Sequence, residues 1–336
     1  MKLLPAASAN PPTPVSDGKP KPELPVRAAA ARSLQLLQNV SNSFMNTGGC
    51  VACHTQNLTA PAAQCAKANG FAVDEAGLKE HLAAEKAAYT RRGDNFLLRF
   101  DGGGAMDALN YALLRFSAAQ YQSDSMTDAM VHNLIAEQMA DGSWHSGGGA
   151  RAPMQDSDIA RTALAVRGVK EFMWEGRRAD LTTHIDAARA WLLRAKPVYY
   201  EDSVMQLLGL KLAGDQASTG AVPAGKLIAQ QMPDGGWAQT ANLHSDAYAT
   251  GQSLLALNEA GGMKPSAPVY QRGVKFLLRT QHYDGSWLVK SRCPKLQPYF
   301  QSGFPYDHDQ WISMAGTAWA TIALTPAAEP AALAKR

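Results

Sequence analysis

The residues best suited to chemistry lie together in Gly48-Gly49-Cys50-Val51-Ala52-Cys53-His54. Two thiols three positions apart, followed at once by an imidazole, have the C-x-x-C-H spacing of covalent c-type haem attachment. The spacing has a chemical reason. Each sulfur reaches one vinyl group on the same porphyrin edge, and the adjacent histidine then sits under the iron as proximal ligand. On this reading Cys50 and Cys53 form the thioethers and His54 binds the haem iron. The competing chemistry is zinc, with Cys50 and Cys53 as one arm of a tetrahedral set. A third reading leaves the three residues unliganded in a loop.

The bulk properties set the frame for these residues. Hydrophobic residues make up 46% of the 336 positions and charged ones 18%, so a large core can form and global disorder is excluded. Basic and acidic residues are mixed along the chain and give a net charge of +3. No basic run or basic-aromatic face stands out, which argues against a nucleic-acid partner. Four cysteines are too few for a disulfide scaffold. No apolar run reaches the length of a transmembrane helix. The opening Met1-Lys2-Leu3-Leu4 begins like a signal peptide, but Pro5 interrupts it before an apolar region develops. Haem attachment at C-x-x-C-H takes place in an exported compartment, so the haem reading carries an expectation of a periplasmic or secreted protein.

The elements that must position the motif follow from punctuation. Residues 1–26 are rich in Pro, Ser and Lys and read as a disordered tail or linker. Residues 27–326 read as one helical domain, with 327–336 as a C-terminal tail. Within the domain a turn recurs three times. Gln138-Met139-Ala140-Asp141-Gly142-Ser143-Trp144 returns as Gln231-Met232-Pro233-Asp234-Gly235-Gly236-Trp237 and as Gln281-His282-Tyr283-Asp284-Gly285-Ser286-Trp287. The Asp-Gly pair makes a tight turn, and the Trp can lie back across the end of the preceding helix. Each copy follows an amphipathic helix and precedes a helix rich in Ala, Gly and Thr, whose small side chains allow close packing.

A period of roughly 50 residues per helix pair indicates a stacked or closed array. Six pairs fit the template: 28–38 with 55–69, 75–99 with 105–118, 124–138 with 155–167, 183–195 with 200–213, 222–231 with 246–260, and 266–280 with 311–324. The expected fold class is therefore all-α, an (α/α)6 toroid of six helical hairpins with inner helices around a central cavity.

The Gln-x-x-Asp-Gly-x-Trp turns, each followed by an Ala/Thr-rich helix, resemble the QW repeats of squalene-hopene cyclases, and the same toroid serves the β-subunits of protein prenyltransferases. The resemblance covers residues 125–325 by motif and 28–118 by helix pattern. It implies a cavity for a small hydrophobic ligand and chemistry at the inner-helix N-termini. Those positions hold Cys50 to His54, Asp107, Asp156-Ser157-Asp158, Glu201-Asp202, His244-Ser245-Asp246 and Asp307-His308-Asp309. Asp and Ser there are also ordinary helix N-caps. Cyclases of this kind protonate an alkene with an Asp-x-Asp-Asp motif. Asp156 and Asp158 match its first and third positions, and Ile159 replaces the final acid. The chain has about half the length of a two-domain cyclase, and seven Trp, ten Tyr and nine Phe to line a pocket. Prenyltransferases bind zinc through an Asp-x-Cys pair and a distant His; Cys293 and His308 suit such a site, but Ser291 stands where the Asp is needed.

Closing the ring makes the first and sixth hairpins neighbours, which brings Cys50 to His54 near the loop at 288–310. Further ligands would then be His308, Cys293 and His282. A zinc site would use Cys50, Cys53, Cys293 and His308, or His54. A distal haem ligand would be Met106, Met314, His244 or His308. The segment 297–311 reads either as a lid over the cavity mouth or as aromatic packing that closes the ring. The preferred expectation is a haem c protein on a cyclase-like toroid, carrying out electron transfer or redox chemistry with a redox partner. The alternatives are a terpenoid cyclase- or prenyltransferase-like enzyme using Asp156 and Asp158 or zinc, and a non-catalytic ligand-binding toroid with structural zinc.

Overall fold

The computed structural model describes residues 24–48, 53–99, 105–145, 151–214, 217–294 and 299–330. Cys50 and most of the Pro-rich stretch lie outside them. Among the described residues there are thirteen α-helices and no strand beyond a single bridge between Trp237 and Asp246. The helices alternate between an outer and an inner ring. The outer ones are α1 (Val26–Gly48), α3 (Glu75–Thr90) with the short α4 (Gly93–Leu97), α6 (Ser125–Ala136), α8 (Arg178–Arg194), α10 (Ala217–Ala229) and α12 (Pro268–Thr280). The inner ones are α2 (Gln56–Ala68), α5 (Ala105–Ala118), α7 (Asp158–Glu171), α9 (Tyr200–Leu212), α11 (Ala247–Glu259) and α13 (Gln310–Leu324). Each inner helix packs on the next, and α13 packs on α2. The six hairpins thus close into the expected (α/α)6 toroid.

The two rings differ in sequence because they differ in surroundings. On α12 the residues Tyr270, Gly273, Val274 and Leu277 are buried while the opposite face is wet, the spacing of a surface helix. On α13 every residue except Trp311 is buried, because neighbours surround it. Small residues set how near the inner helices come. A Cβ on Gly251 of α11 would lie 2.5 Å from the backbone carbon of Trp319 on α13.

The three repeated turns share one geometry. Trp144, Trp237 and Trp287 are fully buried, and each indole N–H donates to a carbonyl ten residues earlier, on Leu134, Leu227 and Leu277, at 2.7, 2.8 and 2.9 Å. Each Trp backbone N–H donates to a threonine hydroxyl on the following inner helix (Thr162, Thr250 or Thr317). Each Gln amide donates twice, to its own Gly carbonyl and to the next outer helix: His184 on α8, Val269 on α12 and Ala29 on α1. The glycine is required twice over. Gly142 has φ of +95°, and a Cβ there would meet the Ala187 carbonyl oxygen at 2.3 Å.

The seam between last and first hairpins uses the same chemistry. Besides Gln281 to Ala29, the Thr321 hydroxyl donates to Ser33 at 2.7 Å, and the Cys65 thiol lies 3.0 Å from the Thr325 hydroxyl. The final loop joins this seam. Phe300 packs edge-on to Phe44 at 5.3 Å between ring centres, and Trp311 packs edge-on to His54 at 6.0 Å. The first and sixth hairpins therefore meet where expected.

Candidate functional site: an axial cavity beneath a buried acid

All six inner helices contribute to one cavity of about 290 Å³ near their C-terminal halves. Leu114, Leu164, Met205, Leu208, Leu255 and Ile322 make its walls apolar. Its size lies at the lower edge of the roughly 300–1,000 Å³ usual for small-molecule sites. Polar groups on the wall are few: Gln64, Ser117, Arg167 and Glu259.

One helical turn towards the N-termini, the same faces become polar. On α9 the order is Glu201, Met205, Leu208; on α11 it is Tyr248, Gln252, Leu255. Glu201 is buried and accepts hydrogen bonds from the Tyr248 hydroxyl at 2.7 Å and the Gln252 amide at 3.2 Å. Burial raises its carboxyl from 4.5 to about 7, against the opposing pull of those two bonds. Tyr111 and Tyr248 are pushed upward, first by burial and then by the nearby Glu201. Asp246, the N-cap of α11, is raised to about 6 by burial, although the Ala249 N–H and the Gln239 amide donate to it. A small cleft beside Glu201 is lined by Tyr200, Gln239, Tyr248, Gln252, Ser253 and Arg292. This buried layer can hold a proton near an apolar cavity.

Asp156 and Asp158 occupy a different setting. Asp158 opens α7 and accepts from Arg161 at 3.2 Å and from the His145 ring at 2.8 Å. Arg161 also bridges to Asp107 at 3.0 Å and donates to the Gln155 carbonyl. Asp158 is thus one end of an ion-paired chain that a carboxylate anion completes. Asp156 is half-buried on the approach to α7. Ser157 between them caps α7 through the Ala160 N–H and donates to the Asp202 carboxylate.

Of the C-x-x-C-H motif, Cys53 and His54 are described. Burial pushes the Cys53 thiol up to about 12 and, as the larger of two causes, the His54 imidazole down to about 3; the Arg151 cation adds to the latter. His54 is therefore a neutral imidazole, and its Nδ1 is sealed from solvent with no hydrogen-bond partner among the described residues. That is the form in which histidine ligates a metal. The expected zinc set is a different matter. Among the described residues no group of three or more His, Cys, Asp or Glu could hold a metal ion, so Cys53, Cys293 and His308 do not converge. The reason is local packing. His308 packs edge-on to Tyr299 at 5.0 Å, and the Cys293 thiol donates to the Pro294 carbonyl. The candidate distal ligands are likewise spread out. Met106 and Met314 are buried in two separate core clusters and His244 is exposed, while His282, a candidate further ligand, packs against Tyr306.

Sequence reasoning placed Glu201 and Asp246 at the mouth among ordinary cap residues. It did not separate Glu201, which caps nothing, from its neighbours. The available signal was Tyr248 and Gln252, one turn apart on the next inner helix.

No protein-family model matches the chain, and no characterised protein matches it by sequence. Solved structures do match. A protein from Actinoplanes aligns with a TM-score of 0.60 at 15% identity, over 90% of this chain and 99% of its own. The type II terpene cyclase MstE from Scytonema aligns with a TM-score of 0.52 at 14% identity, over 87% of this chain and 98% of its own. A variant of MstE in complex with merosterolic acid A, its product, aligns with a TM-score of 0.51 over 88% and 98%. This chain thus spans nearly the whole of that cyclase's own chain. At such identities the likeness is one of fold: the chain shares its helical toroid with a terpene cyclase.

Proposed function

We propose that the protein is a terpenoid cyclase-like enzyme that holds an isoprenoid-type chain in the axial cavity and protonates it from Glu201. The observation that carries this reading is the placement of a buried, hydrogen-bonded carboxyl one turn above an apolar cavity ringed by all six inner helices. In the chemical step the Glu201 O–H bond breaks and its proton passes to one alkene carbon, whose π electrons form the new C–H bond. A carbocation is left on the neighbouring carbon, and Glu201 becomes a carboxylate that Tyr248 and Gln252 stabilise. Attack by internal double bonds and final loss of a proton give an isomer of the substrate. No oxidant or reductant is consumed. Incubation with polyprenyl substrates and mass spectrometry of the products test this. Wild-type protein gives products of unchanged mass, and Glu201→Gln gives none; full activity in that variant would remove the acid role.

We also infer a second reading from His54 beside Cys53, a neutral imidazole whose Nδ1 has no hydrogen-bond partner among the described residues. Cys53 with Cys50 would hold haem c and His54 would be its proximal ligand. When bound, haem supplies one-electron redox chemistry, and a redox partner and a periplasmic or secreted location would accompany it. The absorbance spectrum and intact mass of protein matured in an exporting host decide it: no Soret band and no covalent mass gain would exclude haem.

A further inference from the structure

Apart from Glu259 on α11, the polar groups of the cavity wall gather at one side of its C-terminal rim. There Gln64 on α2, Ser117 on α5 and Arg167 on α7 come from three successive inner helices. All three are half-buried, and none of their side chains makes a hydrogen bond or ion pair with another described residue. That is unusual for a guanidinium set among Leu114, Leu164, Leu208 and Leu212, where five N–H donors have lost part of their water. Other arginines in this protein are tied down. Arg161 bridges Asp107 and Asp158, Arg115 pairs with Glu85, and Arg194 and Arg279 donate to turn carbonyls. Arg167 is not within ion-pair distance of Glu259, which faces the same cavity from α11; its charge acts on that carboxyl only across the cavity, opposing the upward push of burial. A helix-terminal position next to backbone carbonyls explains a basic residue at this end of α7. It does not explain an arc of three donors that lack hydrogen-bond partners among the described residues and open on one largely apolar cavity.

We propose that the cavity takes a single-chain amphiphile with a carboxylate head, its tail running along the axis towards Glu201 and its head seated on Arg167, Gln64 and Ser117. This rests on the reading of the cavity as a substrate site and adds the polar end of the ligand to it. A planar guanidinium matches a carboxylate through two parallel N–H···O bonds, with the amide and hydroxyl as further donors. Glu259 across the rim limits the negative charge the mouth accepts to a single head group.

The test measures binding of a matched series to the full-length protein by displacement of an apolar fluorophore: a sixteen- to twenty-carbon fatty acid, its methyl ester and the corresponding amine. The expected result is that the acid binds at least about tenfold more tightly than the ester, with the amine weakest. In Arg167→Met the advantage of the acid falls below about threefold while the ester binds as in wild type, which also shows that the variant is folded. Arg167→Lys retains part of the advantage. Equal binding of acid and ester by wild type, or an advantage that survives Arg167→Met, would overturn the head-group inference and leave the cavity reading in place. No binding by any member would overturn both.

Discussion

At the scale of single residues, Glu201 and Asp158 separate two roles that acids at helix N-termini can play. Asp158 faces the Arg161 guanidinium, whose positive charge holds a carboxylate in place, and the His145 ring. Glu201 faces a tyrosine and an amide inside the toroid, where burial favours the protonated form. Turnover should therefore fall by about 10² or more in Glu201→Gln and stay within a few-fold of wild type in Asp158→Asn. The pH profile follows from the same value. An acid must carry its proton, so activity should hold below about 7 and decline as pH rises through it. Stability has the same sign. The folded-state value is raised above the ordinary 4.5, so the contribution is complete below about 4.5 and is lost as pH rises through about 7. Thermal melts at pH 5 and pH 8 should accordingly show a smaller loss of Tm for Glu201→Gln than for wild type; equal losses would contradict a buried acid. The sequence alone does not separate Glu201 from other acids, because Glu201-Asp202 looks like any acidic first turn. Its partners lie 47 and 51 positions away, and only the ring brings them together.

At the scale of elements, the three Gln-x-x-Asp-Gly-x-Trp turns are joints, each fastening its hairpin to the next outer helix. This level was largely legible, because a turn that must satisfy several backbone groups at once constrains Gln, Gly and Trp together. The joints are not equivalent. Gln281 reaches Ala29 and so helps to close the ring, whereas Gln231 reaches Val269 within a continuous run of hairpins. Either change to Ala strands a buried carbonyl and should cost about 1–3 kcal/mol. Gln281→Ala should in addition raise amide exchange across both α1 and α13; exchange confined to the turn would argue against a seam. Trp237→Phe removes the bond to Leu227 and should cost a similar amount by chemical denaturation. The motif at Cys50 to His54 was legible as a pattern, and its first cysteine lies outside the described residues. The zinc ligands proposed with it sit in one loop in sequence, yet Tyr299 and Pro294 hold His308 and Cys293 in contacts of their own.

At the scale of the whole molecule, hairpin topology makes the six inner helices parallel. Each carries roughly half an elementary charge at its ends, positive at the N-termini and negative at the C-termini. The acid layer lies towards the positive ends and the cavity towards the negative ones. On the proposed mechanism a carboxylate left at Glu201 lies at the end that favours it, whereas a carboxylate head at the C-terminal rim depends on Arg167 to offset the negative helix ends. A bound chain should stabilise the ring as a unit. Saturating ligand at about a hundred times its Kd should add about 2.7 kcal/mol to unfolding, read as a concentration-dependent rise in Tm. Among the described residues no helix is long and apolar enough to cross a membrane.

The measurement that reaches the central claim most directly is turnover of polyprenyl chains in D₂O, followed by mass spectrometry of the products. Wild-type protein should deliver a single deuterium to the carbon protonated first, in an otherwise isomeric product, and Glu201→Gln should deliver none. Isomerised product that lacks deuterium, or labelled product from Glu201→Gln at the wild-type rate, would contradict proton transfer from Glu201.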